Sequence, residues 1–190
     1  MTGPALHLPQ HRGATRLRAL RRSDLPRFAA YRADPALAEY QSWEPMSRDA
    51  AERFLHETAD ATHLQAGEWT QLAIADSGSD GLVGDLGLYL SEDCTYSEVG
   101  FTLARDGQGK GHATRATELA VELVFRIASV AEVRAVTDRV NRASIAVLRR
   151  AGFLQTGSRA TVFKGRSCTE DLFVRVRPTD AAGHRGTGST

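Results

Sequence analysis

Between Thr15 and Leu20 apolar and basic positions alternate, Leu17 and Ala19 against Arg16 and Arg18, which is the period of a half-exposed strand. The period then lengthens. Ser23 is placed to cap a helix with Asp24 and Pro26 in its first turn and Leu25, Phe28, Ala29 and Arg32 on successive turns, until Asp34-Pro35 stops it. A second helix is expected from Ser47 to about His63, with Ala50, Ala51, Phe54, Leu55 and Thr58 in a stripe opposite Arg48, Glu52, Glu57 and Asp60. Strand-like runs return at 69–75, 82–90 and 96–104, separated by Ser77-Gly78-Ser79-Asp80-Gly81 and Ser91-Glu92-Asp93, the pattern of an antiparallel meander.

Three glycines, Gly107, Gly109 and Gly111, then lead into a helix expected from about His112 to Ser129, whose buried face is Ala113, Ala116, Ala120, Leu123, Val124 and Ile127. A strand at 133–140 follows, and after it a short helix from Arg142 to Ala151. Gly152 stands where that helix needs a left-handed cap, with Phe153 able to close over it. Phe153 to Phe163 and Cys168 to Val176 read as a strand pair around Lys164-Gly165-Arg166. Residues 1–13, broken by Pro4 and Pro9, are expected to be a disordered leader, 14–177 one domain, and the Gly-, Ser- and Thr-rich 178–190 a disordered tail.

Composition narrows the class. The chain has 190 residues, 42% hydrophobic and 25% charged, which suits one core. A formal net charge of +1 disfavours a polyanion partner such as DNA or RNA, so any anion site has to be local. Cys94 and Cys168 lie far apart without metal-ligand spacing and the histidines are scattered, which points to a reduced, cytoplasmic protein with no metal. No stretch approaches the ~18 apolar residues of a membrane span, and the leader lacks the apolar core of a secretory signal.

The glycine cluster carries the candidate chemistry. Glycines between a strand and a helix expose backbone N–H groups where the helix dipole adds positive partial charge, a setting for phosphate. A Walker loop fails because Gly109-Lys110 is followed by Gly111, with no hydroxyl for magnesium. The dinucleotide fingerprint fails because His112 or Thr114 falls at its third glycine, and the loop follows a meander instead of the first strand of a parallel unit.

Gln108-Gly109-Lys110-Gly111-His112-Ala113 resembles the acetyl-coenzyme A signature of the Gcn5-related N-acetyltransferases: Gln or Arg, two residues, Gly, one residue, then Gly or Ala. Asn141, Ser144, Leu148 and Gly152-Phe153 resemble the family's second block. Glu98-Val99-Gly100-Phe101 and the opening Thr15-Arg16-Leu17-Arg18 look like the branch that includes ribosomal-protein N-terminal acetyltransferases. The resemblance covers about 14–177. It implies an α+β fold: a mixed, twisted, mostly antiparallel sheet of about seven strands flanked by about four helices, splayed between the Glu98 strand and the one at Val133. It also implies that acetyl-CoA is held by the N–H groups of residues 108 to 113, that a backbone N–H at a bulge near Leu103 polarises the thioester, and that Asn141 contacts the pantetheine. Trp43 and Glu44 fall where the family builds its acceptor pocket. Three departures mark this chain: Leu148 where many relatives have a proton-donating Tyr, Arg115 where the branch has Glu, and Phe101-Thr102 where it has Tyr-Trp.

Acetyl transfer needs a neutral amine, a polarised carbonyl and a stabilised thiolate. Glu98 is the first candidate for general base, although a lone Glu on a strand is ordinarily a surface carboxylate. Ser144, one turn before Leu148 and so expected on the same helix face, is the candidate acid. Among Arg105, Lys110, Arg142 and Arg149, Lys110 is best placed for a coenzyme phosphate, and Glu92, Asp93, Glu170 and Asp171 would give a cationic acceptor an acidic rim. The reading is direct transfer in a ternary complex to a primary amine, either a protein N-terminus or a small molecule. An antibiotic-modifying acetyltransferase and a catalytically weak acyl-CoA sensor are the alternatives, and a homodimer is left open. Neither cysteine lies in a matched block, so a covalent acetyl-cysteine route has no support.

Overall fold

The computed structural model describes residues 3–178. Eight strands form one sheet in the order β1-β2-β3-β4-β5-β6-β8-β7: β1 Gln10–Arg12, β2 Thr15–Ala19, β3 Trp69–Asp76, β4 Leu82–Leu90, β5 Tyr96–Leu103, β6 Glu132–Asp138, β7 Leu154–Phe163 and β8 Arg166–Val176. The helices are α1 Leu25–Arg32, α2 Pro35–Ala38, α3 Arg48–Thr58, α4 His112–Ile127 and α5 Arg142–Arg150. The sheet is mixed and mostly antiparallel, as expected, with β5 and β6 its parallel pair.

The eighth strand corrects the reading of the leader. Gln10–Arg12 pairs with β2, and Arg12 reaches across to Glu118 and Glu122 on α4, so these residues are held to the sheet. The tail expected over 178–190 lies outside the described residues, apart from Pro178. The fifth helix is one turn, α2, which Pro35 starts and the Asp34 carboxylate caps by accepting from Ala36 N–H at 3.0 Å. Ser47, expected as the first residue of this helix, is its cap through Ala50 N–H at 3.2 Å, and α3 ends at Thr58 and not near His63. Ahead of α1 the N-cap residue is Asp24, not Ser23, and neither side chain caps the helix. The Asp24 carboxylate accepts from Arg21 N–H at 2.9 Å and takes two bonds from Arg18.

Two cores sandwich the sheet. α4 lays Ala116, Ala120, Leu123 and Val124 on Leu72, Ile74, Leu86 and Leu88, while α1 and α3 pack Phe28, Tyr31 and Leu55 on Leu20 and Ala73 of the opposite face. Each fully buried Leu or Phe here contributes about 1.5–3 kcal/mol of burial. The helix periodicity read from the sequence is the observed one, except that Ile127 is only half-buried and that His112, Thr117, Leu119 and Val121 are buried as well, because α4 is covered on more than one side.

Candidate active site

The sheet opens where β5 and β6 separate. They pair at three positions, Tyr96 with Glu132, Ser97 with Val133 and Glu98 with Arg134, and beyond Glu98 their ladder stops. Pairing with β4 continues without a register shift to Leu103, so the bulge expected near Leu103 is corrected: β5 stays regular and instead loses its other neighbour. Bonds from Ser91 N–H to the Tyr96 carbonyl and from Ala104 N–H to the Val83 carbonyl fix the hydrogen-bonding parity. Even-numbered residues of β5 therefore bond to β4, and the N–H and C=O groups of Val99, Phe101 and Leu103 turn toward the gap. The Phe101 carbonyl accepts from the Gln41 side chain at 3.4 Å and the Leu103 carbonyl from the Gln108 side chain at 3.1 Å, which leaves the N–H groups of these residues facing the opening.

Two cavities flank this gap. One, of about 540 Å³, runs from Phe101–Leu103 over Gln108, Gly109, Gly111, His112 and Ala113 to Asn141 and Ser144. The glycine loop thus meets the α5 wall across one opening, as the two sequence blocks require. Gly109 (φ 74°) and Gly111 (φ 76°) take left-handed conformations, and a Cβ built at Gly109 meets nothing within 4 Å, so the loop presents its backbone to open space. Gly111 is the N-cap of α4, whose first N–H groups have no partner within the helix. The Gln108 N–H is already used, by the Arg105 carbonyl at 3.2 Å.

Arg115 organises this loop from behind. Its guanidinium donates to Thr15 Oγ1 at 2.8 Å and to the Lys110 carbonyl at 2.7 Å. Holding that carbonyl inward aims the N–H of Gly111 the opposite way across the planar peptide. Thr15 Oγ1 also lies 2.9 Å from His112 Nδ1. Arginine only donates, so the hydroxyl accepts from Arg115 and shares a further hydrogen bond with the His112 ring. Burial, followed by Arg115, lowers the His112 pKa and keeps the ring neutral. Lys110 does not line the cavity, whereas Arg105, paired with Asp34 at 2.6 Å, and Arg150 do.

The expectation that Ser144 and Leu148 share a face is corrected. Residues four apart on a helix are offset by about 40°. On α5 that offset is enough to place Ser144 on the cavity and Leu148, 1% exposed, in the core. The Asn141 side chain caps α5 through Ser144 N–H at 3.1 Å, and Gly152 (φ 80°) closes the helix with Phe153 N–H bonded to the Leu148 carbonyl.

The second cavity, about 760 Å³, lies on the α1/α3 face and contains Glu98 with Gly100, Trp69 and Tyr96. The Glu98 carboxylate makes no hydrogen bond or ion pair among the described residues. Burial pushes its carboxyl pKa up, against the opposing pull of Arg159 and Arg134. Those two arginines are committed elsewhere, Arg134 to Glu132 and Arg159 to Glu170. Trp69, Tyr89 and Tyr96 form an aromatic row beside Glu98, with ring centroids 5.6 and 6.4 Å apart.

Trp43 and Glu44 line neither cavity; Tyr40 and Gln41 do. The Trp43 ring instead stacks on Arg32, which is buried against Asp85. Glu44 pairs with Lys164 at 3.1 Å. Lys164, in the turn between β7 and β8, also donates to the carbonyls of Ala38 at 2.9 Å and Trp43 at 2.7 Å, and so straps the segment after α2 over the sheet. The acidic rim is also partly corrected. Glu170 lines the cavity, whereas Asp171 is buried on Arg139 and Ser158.

A sheet that splits between two parallel strands, with a glycine loop and helix N-terminus on one side and an unpaired carboxylate on the other, is the architecture of an acyl-coenzyme A transferase. Residues 15–154 match the family model described as the acetyltransferase (GNAT) domain, and the chain belongs to that family of acetyl-CoA-dependent N-acetyltransferases. An N-acetyltransferase of Bacillus licheniformis, p20, is 21% identical over 159 residues, covering 83% of this chain and 89% of that protein. The fold is shared with the Vibrio cholerae spermidine N-acetyltransferase solved with CoA and spermine (TM-score 0.73, 20% identity, 87% of this chain and 96% of that one). It is shared equally with RimL, a ribosomal L7/L12 alpha-N-protein acetyltransferase solved with coenzyme A (TM-score 0.72, 18% identity, 90% and 97%).

Proposed function

We propose that this enzyme transfers acetyl from acetyl-CoA to a primary amine by direct attack, with the coenzyme on the glycine-loop side of the β5/β6 gap and the amine on the Glu98 side. The observation that carries the reading is the loss of the β6 partner beyond Glu98, which opens both cavities onto the same stretch of β5. The loop fits a diphosphate because left-handed glycines and a helix N-terminus offer N–H donors without side chains in the way. In this reading the donors run from Gly109 to Ala113, with the Gln108 side chain bracing the loop against β5, Lys110 adding charge at its outer edge, and Asn141 and Ser144 forming the wall along the pantetheine.

Glu98 takes the proton from the incoming ammonium. Its burial and lack of a partner raise its basicity toward the range in which that transfer is useful at neutral pH. The neutral nitrogen attacks, and the N–H groups of Phe101 and Leu103 face the place where negative charge develops on the carbonyl oxygen. Trp69, which lines the Glu98 cavity, supplies an aromatic face for the cationic acceptor before it is deprotonated, while the Tyr96 ring already carries the Arg134 guanidinium at 3.7 Å. The named neighbours act on a polyamine and on a protein N-terminus, and both offer a primary amine.

The test is a screen of thiol release from acetyl-CoA with polyamines, N-terminal peptides, amino acids and aminoglycosides. The reading predicts turnover with at least one amine and none with alcohols. Coenzyme binding without thiol release across the whole set would identify a sensor instead.

A further inference from the structure

We propose that Tyr40 donates the proton taken up by the departing coenzyme thiolate, an inference that rests on the acetyl-transfer reaction proposed above. The two cavities meet along one short wall, since among the described residues Tyr40 and Gln41 alone line both. If coenzyme enters through one cavity and amine through the other, the breaking C–S bond lies at that junction, and an acid has to stand there to reach the sulfur. The Gln41 amide is committed to the Phe101 carbonyl and is no proton donor in this pH range. Ser144 lines the coenzyme-side cavity only. The Tyr40 phenol is the acid that remains.

The segment carrying Tyr40 is held in place. Gln41 N–H bonds to the Ala38 carbonyl at 3.0 Å, Lys164 grips the carbonyls of Ala38 and Trp43, and Arg166 pairs with Glu39 at 3.7 Å. Burial, then Glu39 and Asp138, push the phenol's pKa up against the pull of Arg166, so it stays protonated through neutral pH, the state from which an acid starts. This also supplies what Leu148 lacks: the hydroxyl comes from the segment after α2.

The step balances. The amine nitrogen bonds to the carbonyl carbon, the C–S bond breaks with its electron pair left on sulfur, and the phenol proton passes to that sulfur. Nitrogen loses two protons in all. One leaves by way of Glu98, the other is matched by the proton that restores Tyr40, and amide, free thiol and one net proton result.

Tyr40→Phe tests the assignment with two readouts. The ultraviolet absorbance of the coenzyme thiolate, titrated against pH in the binary complex, should place the bound thiol's pKa about one pH unit higher in the variant than in wild type, because a donor to the thiolate is gone. Thiol release should fall about 100-fold, with KM for both substrates nearly unchanged. A variant that binds coenzyme A with the wild-type thiol titration and turns over at the wild-type rate overturns the role of Tyr40 alone. A wild-type protein that shows no coenzyme binding by calorimetry overturns the proposed function and this inference with it.

Discussion

Glu98 faces Arg134 across the last paired position of β5 and β6, and the carboxylate is free there because Arg134 bonds to Glu132 at 2.7 Å. The place of the proposed base is thus set by topology. The two strands diverge immediately after a half-buried acid, and the cation opposite is held by another partner.

Glu98→Gln should lower kcat by about 100-fold or more near neutral pH and by less at alkaline pH, where free amine accumulates unaided. The raised folded pKa has a second consequence. The unfolded chain loses this proton at lower pH than the folded one, so the stability linked to it is present below the unfolded pKa and lost as pH rises through the folded value. Activity follows the opposite course, because the base works only when ionised. Rate profiles and thermal melts against pH should both lose this titration in the variant; a small, pH-independent effect on rate would remove Glu98 from the role.

Lys164→Ala deletes the donor to Ala38, Trp43 and Glu44. The expected result is an amine KM raised on the order of tenfold, the equivalent of one charge-assisted hydrogen bond, with faster amide exchange over 38–44 and little change in coenzyme affinity. Unchanged exchange and KM would mean that the strap does not hold the acceptor wall.

Leu148→Tyr restores the residue common among relatives, yet the position is buried in the core beside Ile145 and Ala151. Overpacking should cost about 1–3 kcal/mol, read as a lower denaturation midpoint, and should not raise kcat. A variant as stable as wild type and faster would contradict the placement of Leu148.

Much of this is legible in the sequence because local rules decide it. The period of α4, the start of α3 at Ser47, the Asn141 cap, the Gly152 terminator and the meander follow from neighbours close in the chain. The glycine loop and the Asn141–Ser144 block are legible as a pair, and the structure brings them to one cavity. Contacts distant in sequence are not legible. Trp43 stands near the acceptor wall in the chain, but its ring is drawn to the buried Arg32–Asp85 pair, and only the fold reveals that Asp85 waits beneath it. Lys164 reads as an ordinary turn residue; its partners lie 126 and 121 positions away. Tyr40 and Trp69 carry no motif, and their one signal is an aromatic ring between two expected helices or at the start of an expected strand. Arg115 breaks the branch pattern, and its reason is three-dimensional, a link from Thr15 to the Lys110 carbonyl.

The most direct measurement is a crystal structure grown with coenzyme A. The diphosphate should lie on the backbone N–H groups between Gly109 and Ala113, with the sulfur between Tyr40 and β5. A nucleotide bound away from that loop, with its sulfur outside the β5/β6 gap, would contradict the account.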